Sequence, residues 1–249
     1  MRYEELTIEG RNAVLEAFRS GKTIDKLFVL DGCQDGPVKT ILREAKKGDT
    51  IVSFVKKERL DQMSETGKHQ GVIAFAAAYD YAEVEDILKA ARDKGEAPFI
   101  IILDGIEDPH NLGAMIRTAN QAGAHGIIIP KRRAVGLTAT VAKVSAGAIN
   151  YTPVAKVTNL VQTMEQLKEE GLWFVCADMS GEVMYRQNLT GPIGLVIGSE
   201  GEGVSRLVKE KCDFVTKIPM YGDIDSLNAS VAMGILTYEI VRQRTMSSK

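Results

Sequence analysis

The chain is poor in several things that would otherwise set its class. Only 3 of its 249 residues are cysteine: Cys33, Cys176 and Cys212, widely separated and without metal or redox spacing. Such usage excludes a disulfide-stapled secreted domain and fits a reduced, cytoplasmic protein. No apolar run reaches the ~18 residues that a membrane-spanning helix needs, so no membrane partner is expected. The opening MRYEELTIEG lacks a basic stretch followed by an apolar one, so no secretory leader is read there. Excess charge of one sign is missing as well, because 31 basic and 33 acidic side chains leave a net charge of −2. Bulk attraction to nucleic acid is thereby excluded, and any RNA contact has to come from a local patch. No ligand cluster marks a catalytic magnesium, and no metal is expected.

What is present is an ordinary globular composition, 45% hydrophobic and 26% charged, enough for one large domain or two smaller ones. Residues 1–77 read as a compact α/β unit. Apolar spacing gives helices over 10–20 and 37–47 and in ERLDQMSE, with strands over 24–30, 50–55 and 71–77. Residues 78–96, AYDYAEVEDILKAARDKGE, form a charged amphipathic connector and helix that stops at Gly95. From 97 to 249 the strand-like runs are nearly all apolar: FIIILD, GIIIP, WFVCAD, GLVIGS and FVTKIP. Continuous apolar strands suit a parallel sheet covered on both faces, with helices expected at 111–122, 138–148, 158–170, 203–211 and 228–243.

In open parallel sheets, ligands bind at the carboxyl ends of the strands. Three unusual loops leave such ends here. In LDGIEDPHNLGAMIRTANQAG (103–123), Asp108-Pro109 can start a helix and Gly123 can stop it. Gly113, Arg117 and Asn120 fall on one face, with glycine removing bulk one turn before the guanidinium. A lone helix arginine is ordinarily a solvated one. Asn111 in the first turn adds a donor at a helix N-terminus, where anions and hydroxyls bind. In GLVIGSEGEGVSRLV (194–208), a strand runs straight into a glycine loop that matches neither phosphate-binding fingerprint. Glu200 and Glu202 would repel a pyrophosphate, so the loop suits hydroxyls, amines or positive charge. In IPMYGDIDSLNASVAMGILTYE (218–239), Ser226 or Asn228 can cap the following helix. Capping leaves Pro219, Met220, Tyr221 and Gly222 without a reason, and a wide loop with an apolar floor and polar rim could hold a nucleoside.

NLGAMIRTANQAG, GLVIGSEGEGVS and the 218–239 stretch, in that order, resemble the three motifs of the SpoU/TrmH family, the SPOUT-class RNA ribose 2′-O-methyltransferases. IEGRNAVLEAF and the unit around it resemble the L30e-like RNA-binding domain that precedes the catalytic domain in the bacterial RlmB-like 23S rRNA guanosine 2′-O-methyltransferases. The resemblance implies a parallel sheet whose C-terminal part threads into a deep trefoil knot, an exception to the rule against knots. It implies an S-adenosylmethionine pocket lined by Gly198, Ile218, Met220 and Leu227, and a homodimer, for which the apolar C-terminal helix is the candidate interface. It also makes Arg117 the central catalytic residue, helped by Asn111, Glu200, Ser226 and Asn228. A guanidinium holds its proton too tightly to act as a base. Arg117 is therefore expected to position the target phosphate and lower the hydroxyl's pKa, with the RNA phosphate able to take the proton. Near such a site Lys131, Arg132 and Arg133 become phosphate contacts; taken alone they are a solvated loop.

Three rivals stand beside this reading. A dinucleotide-dependent oxidoreductase lacks its fingerprint here. A non-catalytic RNA-binding protein on the same fold would have lost Arg117, Glu200 or Asn228, and all three are present. A tRNA ribose in place of a ribosomal one keeps the chemistry and changes only the substrate.

Overall fold

The computed structural model describes residues 6–224 and 226–247; Asp225 of the third loop lies outside them. The chain divides into two compact units, one running up to Asp80 and including Gly136–Thr140, the other holding Tyr81–Val135 and the rest from Val141.

The first unit contains β1 (Leu6–Glu9), α1 (Arg11–Arg19), β2 (Ile24–Leu30), α2 (Gly36–Lys47), β3 (Ile51–Val55), α3 (Lys57–Met63) and β4 (Val72–Ala76). Its sheet has the order β1-β4-β2-β3. β4 runs antiparallel to both of its neighbours, and β2 pairs parallel with β3. Val14, Ala17, Leu27, Val29, Val38, Ile41, Val72 and Ala74 form one core cluster, the apolar faces of α1 and α2 closing on one side of the strands. Glu9 ties the α3–β4 loop. Its carboxylate accepts from Ser64 Oγ at 2.5 Å and from the Glu65 N–H at 2.6 Å. His69 is buried, with Nδ1 accepting from the Gly71 N–H and Nε2 facing Asp61.

The second unit starts with α4 (Val84–Lys94), β5 (Phe99–Asp104), α5 (Pro109–Gln121), β6 (Gly126–Pro130), the part of α6 (Ala139–Val144) from Val141 onward, and β7 (Val154–Val157). It continues through α7 (Leu160–Glu169), β8 (Trp173–Val183), β9 (Ile193–Gly198), α8 (Arg206–Glu210), β10 (Phe214–Lys217) and α9 (Ala229–Ser247). Six strands in the order β10-β8-β9-β5-β6-β7 make the sheet, and every pairing in it is parallel. Alternation splits the apolar strands between two layers. Ile100, Ile102, Ile128, Phe174 and Val196 pack with Ile87 and Leu88 of α4, Met164 and Leu167 of α7 and Val208 of α8. Ile101, Leu103, Leu195 and Ile197 are buried too, and alternation turns them to the other face, where α5 and α9 pack together.

The amphipathic connector helix buries Ile87, Leu88 and Ala91 of α4, so it belongs to the core of the second unit. One detail is not legible in the run of apolar segments. β7 is a short edge strand carrying Lys156, too polar to stand out beside its neighbours. The far end of α9 is fastened by Arg244, which donates to the carbonyls of Ala97 (3.1 Å), Pro98 (2.9 Å) and Gly191 (2.7 Å). Its guanidinium also lies 5.1 Å from the ring centre of Phe99.

Candidate active site

The three loops read from the sequence all leave the carboxyl edge of the parallel sheet. Asp104 ends β5 beside Gly198, which ends β9, the two being paired in register. Asp108 caps α5 by accepting from the His110 N–H at 2.8 Å, with Pro109 in the first turn. Asn228 caps α9, its Oδ1 accepting from the N–H groups of Ser230 (3.0 Å) and Val231 (3.3 Å). Ser226 makes no cap and instead lines a cavity.

The centre of the site is a three-residue cluster drawn from all three loops. Glu200 Oε1 accepts from Asn111 Nδ2 at 2.9 Å and from Asn228 Nδ2 at 2.6 Å. It also accepts from the Ala229 N–H at 3.4 Å, at the positive end of α9 where a carboxylate is favoured. Asn228 Nδ2 reaches Asn111 Oδ1 at 3.0 Å and closes the triangle. Residues separated by up to 117 positions are thus held in one constellation.

Two cavities meet at that cluster. One, of about 250 Å³, is lined by Gly198, Ile218, Met220 and Leu227 together with Ile197 and Leu236, and its polar and charged groups include Glu200, Asp178, Lys217 and Ser226. The other, of about 610 Å³, is lined by Glu107, Asp108, Asn111, Arg133, Glu202 and Asn228 among others. Ser199, Glu200 and Ala229 belong to both linings. The first cavity has the chemistry for a compact ligand with an apolar ring and a positive centre. Its glycine is obligatory: a Cβ at Gly198 would overlap the backbone of Gly203 and Val204, so the loop can double back only there.

Arg117 is exposed on α5 and lines neither cavity. Among the described residues it makes no hydrogen bond or ion pair. The sequence places Gly113 beside this guanidinium as a source of space; the structure corrects that. Gly113 is buried, and a Cβ there would stand 2.6 Å from Val144 Cβ and 3.0 Å from the Val141 carbonyl. The glycine therefore lets α6 approach α5. Of the basic loop, Arg133 sits in the left-handed region at φ 57° and pairs with Glu202. Arg132 is exposed and Lys131 half-buried.

Sequence reasoning misses Asp178 at the first cavity. Against the upward push of partial burial, hydrogen bonds from Lys209 and Ser180 and the Lys209 charge hold its carboxyl down at about 2. The run WFVCAD shows only a strand end, and the ion pair comes from α8, which no local pattern links to it.

Comparison with known proteins fits this geometry. A family model described as the SpoU rRNA methylase family matches residues 98–238. A second, described as RNA 2′-O ribose methyltransferase substrate binding, matches residues 7–82. YacO of Bacillus subtilis (strain 168), a TrmH family protein, is 54% identical over 237 residues, covering 94% of both chains. A TrmH family protein of Staphylococcus haemolyticus (strain JCSC1435) is 48% identical over 242 residues, 97% of both chains. Among solved structures, the SpoU methyltransferase AviRb from Streptomyces viridochromogenes, in complex with AdoMet, superposes with a TM-score of 0.62. That match has 24% identity over 97% of this chain and 91% of the other. The TrmH/SpoU tRNA modifying enzyme of A. aeolicus is 30% identical over 66% of this chain and 85% of its own, with a TM-score of 0.56. The chain belongs to the SpoU/TrmH family of RNA methyltransferases.

Proposed function

We propose that this protein transfers the methyl group of S-adenosylmethionine to a ribose 2′-hydroxyl of RNA, on a guanosine of 23S rRNA. The observation that carries the reading is the Asn111–Glu200–Asn228 cluster, which lines the larger cavity and reaches the smaller one through Glu200. A methyl transfer needs donor and acceptor in line, and two adjoining pockets with a rigid polar junction supply that alignment. The 250 Å³ cavity fits the donor. Ile218, Met220 and Leu227 offer apolar contact for an adenine ring, Gly198 brings backbone close, and the carboxylates of the rim suit a cation. The donor supplies an electrophilic methyl on a sulfonium centre.

The chain's own residues do the rest. Glu200, fixed through Oε1, keeps Asn111 and Asn228 in place, and the three present amide and carboxylate groups to the incoming ribose from the larger cavity. Ser226 adds a hydroxyl at the donor side. Arg117, without a protein partner among the described residues, is available to hold the phosphate beside the target nucleotide and to lower the pKa of its hydroxyl. The phosphate accepts the proton. Lys131, Arg132 and Arg133 supply further phosphate contacts, and the unit up to Asp80, which holds most of the stretch matched by the substrate-binding family model, binds the RNA substrate.

We also take the passage from β9 to α9 as the trefoil knot of the family, since Gly198 and Gly203 of one loop and Ile218, Met220 and Leu227 of the other line one pocket. The working form is a homodimer joined through α9, which buries Met233, Leu236 and Ile240 yet leaves Val231 and Tyr238 exposed one above the other. The protein works in the cytoplasm, as its sparse free cysteines suggest. A tRNA ribose is the second reading, favoured by the A. aeolicus likeness; that enzyme's match reaches only 66% of this chain.

The test uses methyl-labelled S-adenosylmethionine with separate pools of unmodified large-subunit rRNA and tRNA, wild type beside Arg117→Ala. Label in 2′-O-methylguanosine from rRNA, lost in the variant, is the expected result. Label in tRNA alone would overturn the substrate, and label retained by Arg117→Ala would overturn the role of the arginine.

A further inference from the structure

β8 and β10 run in step at Val175–Phe214 and Cys176–Val215, after which Thr216 pairs with Glu182. Residues 177–181 therefore leave the ladder as an excursion on the β8 side. At its end Gly181 is required, since a Cβ there would stand 2.5 Å from the carbonyl carbon of Val215. The excursion is tied down from within and from outside. Asp178 Oδ1 accepts from the Ser180 N–H at 2.9 Å and from Ser180 Oγ at 2.6 Å. Asp178 Oδ2 pairs with Lys209 Nζ of α8 at 2.8 Å, and the same ammonium donates to Ser180 Oγ at 3.0 Å.

Ala177, Asp178 and Met179, all in the excursion, wall the 250 Å³ cavity. Among the described residues the other charged groups there are Glu200, whose Oε1 is committed to two asparagines, and Lys217, whose sign is wrong for a cationic ligand. Asp178 is the carboxylate that remains. A carboxylate oxygen accepts two hydrogen bonds, and one ammonium does not exhaust Oδ2.

We propose that Asp178 is a recognition residue for the methyl donor, its Oδ2 accepting a hydrogen bond from an O–H or N–H group of that molecule. Lys209 and Ser180 act as positioning residues that aim the carboxylate. This inference rests on reading the smaller cavity as the donor site. Three donor groups carry the required chemistry: the ribose hydroxyls, the adenine amino group and the α-ammonium.

The experiment is calorimetric titration of S-adenosylhomocysteine and of 5′-methylthioadenosine, which keeps the ribose and lacks the amino acid, into wild type, Asp178→Asn and Lys209→Met. Thermal unfolding is followed for each. Asp178→Asn should weaken S-adenosylhomocysteine about tenfold or more, the loss of a hydrogen bond to a charged group, while its Tm stays near that of wild type. An equal loss for methylthioadenosine assigns the contact to the nucleoside, its ribose hydroxyls or adenine amino group; an unchanged methylthioadenosine assigns it to the ammonium. Affinity unchanged within threefold would overturn the proposal. So would a loss no larger than that of Lys209→Met accompanied by the same fall in Tm, since the excursion would then be structural only. A wild type that binds neither ligand would overturn the donor-site reading itself, which separates that failure from failure of Asp178 alone.

Discussion

The two units bind their sheets differently, and the difference decides where chemistry can sit. In the first, β4 lies antiparallel between β1 and β2, so strand ends of both polarities share each edge and loops such as the one tied by Glu9 serve the fold. In the second, six parallel strands send all of their carboxyl ends to one edge. Asn111, Glu200 and Asn228 arrive there from three loops, and each ends in the same hydrogen-bonded cluster. A parallel sheet concentrates loop ends, and a mixed sheet disperses them.

The glycines expose the contrast most sharply. Gly198→Ala should cost the second unit about 3 kcal/mol, the upper end of the overpacking range, because backbone opposes the added methyl and cannot yield as a side chain would. Donor binding should be lost with it. Gly48→Ala in the first unit, where an added methyl would meet only ordinary contacts at 3.5 Å and beyond, should change stability by less than ~1 kcal/mol. Thermal unfolding of both variants checks the pair; equal destabilisation would erase the distinction.

A smaller effect separates the buried histidines. His125 Nδ1 accepts from the Phe99 N–H at 3.0 Å, which fixes its remaining proton on Nε2, facing Glu96. Burial first, and then the charge of Lys94, pushes its pKa below the ordinary value, against the pull of Glu96. The unfolded chain therefore takes up the proton first as pH falls. Stability from this residue is present above the ordinary histidine value of about 6.5 and is lost as pH drops below it. Melting temperature measured from pH 8 to pH 5 should fall at the acid end, and His125→Gln should flatten that fall. A profile unchanged by the substitution would remove His125 as its cause.

The smallest expected effect on stability lies in the basic loop. Arg133 and Glu202 are both largely exposed, and pairs of this kind contribute within ~1 kcal/mol. Arg133→Ala should leave the melting temperature within experimental error while weakening RNA binding at low salt. Filter binding at two ionic strengths measures this, and an equal RNA affinity in the variant would count against the loop as a phosphate contact.

Much of this contrast is legible in the order of the residues alone. FIIILD and GLVIGS form β5 and β9, because strands covered on both faces carry apolar residues at every position. The three loops are legible for the opposite reason, since glycines and amides interrupt those runs at strand ends. Gly113 misleads because helical periodicity gives a face and not the neighbour on it; only α6 supplies Val144. Asp178 is invisible in the sequence since its importance lies in a break of register between β8 and β10 and in a lysine from α8. Contacts between elements distant in sequence carry no local signature.

The Arg244 clamp has a consequence for the timing of synthesis. Its acceptors include the Pro98 carbonyl, 146 residues earlier in the chain. At ~5–20 residues per second a ribosome takes on the order of ten seconds to cover that distance. Throughout that interval the start of β5 has been made and its fastening has not. The nascent second unit must therefore keep its first strand competent for pairing until α9 emerges, so its assembly waits on its own final helix. The first unit, whose four strands are all made by Ala76, can form its sheet while translation continues.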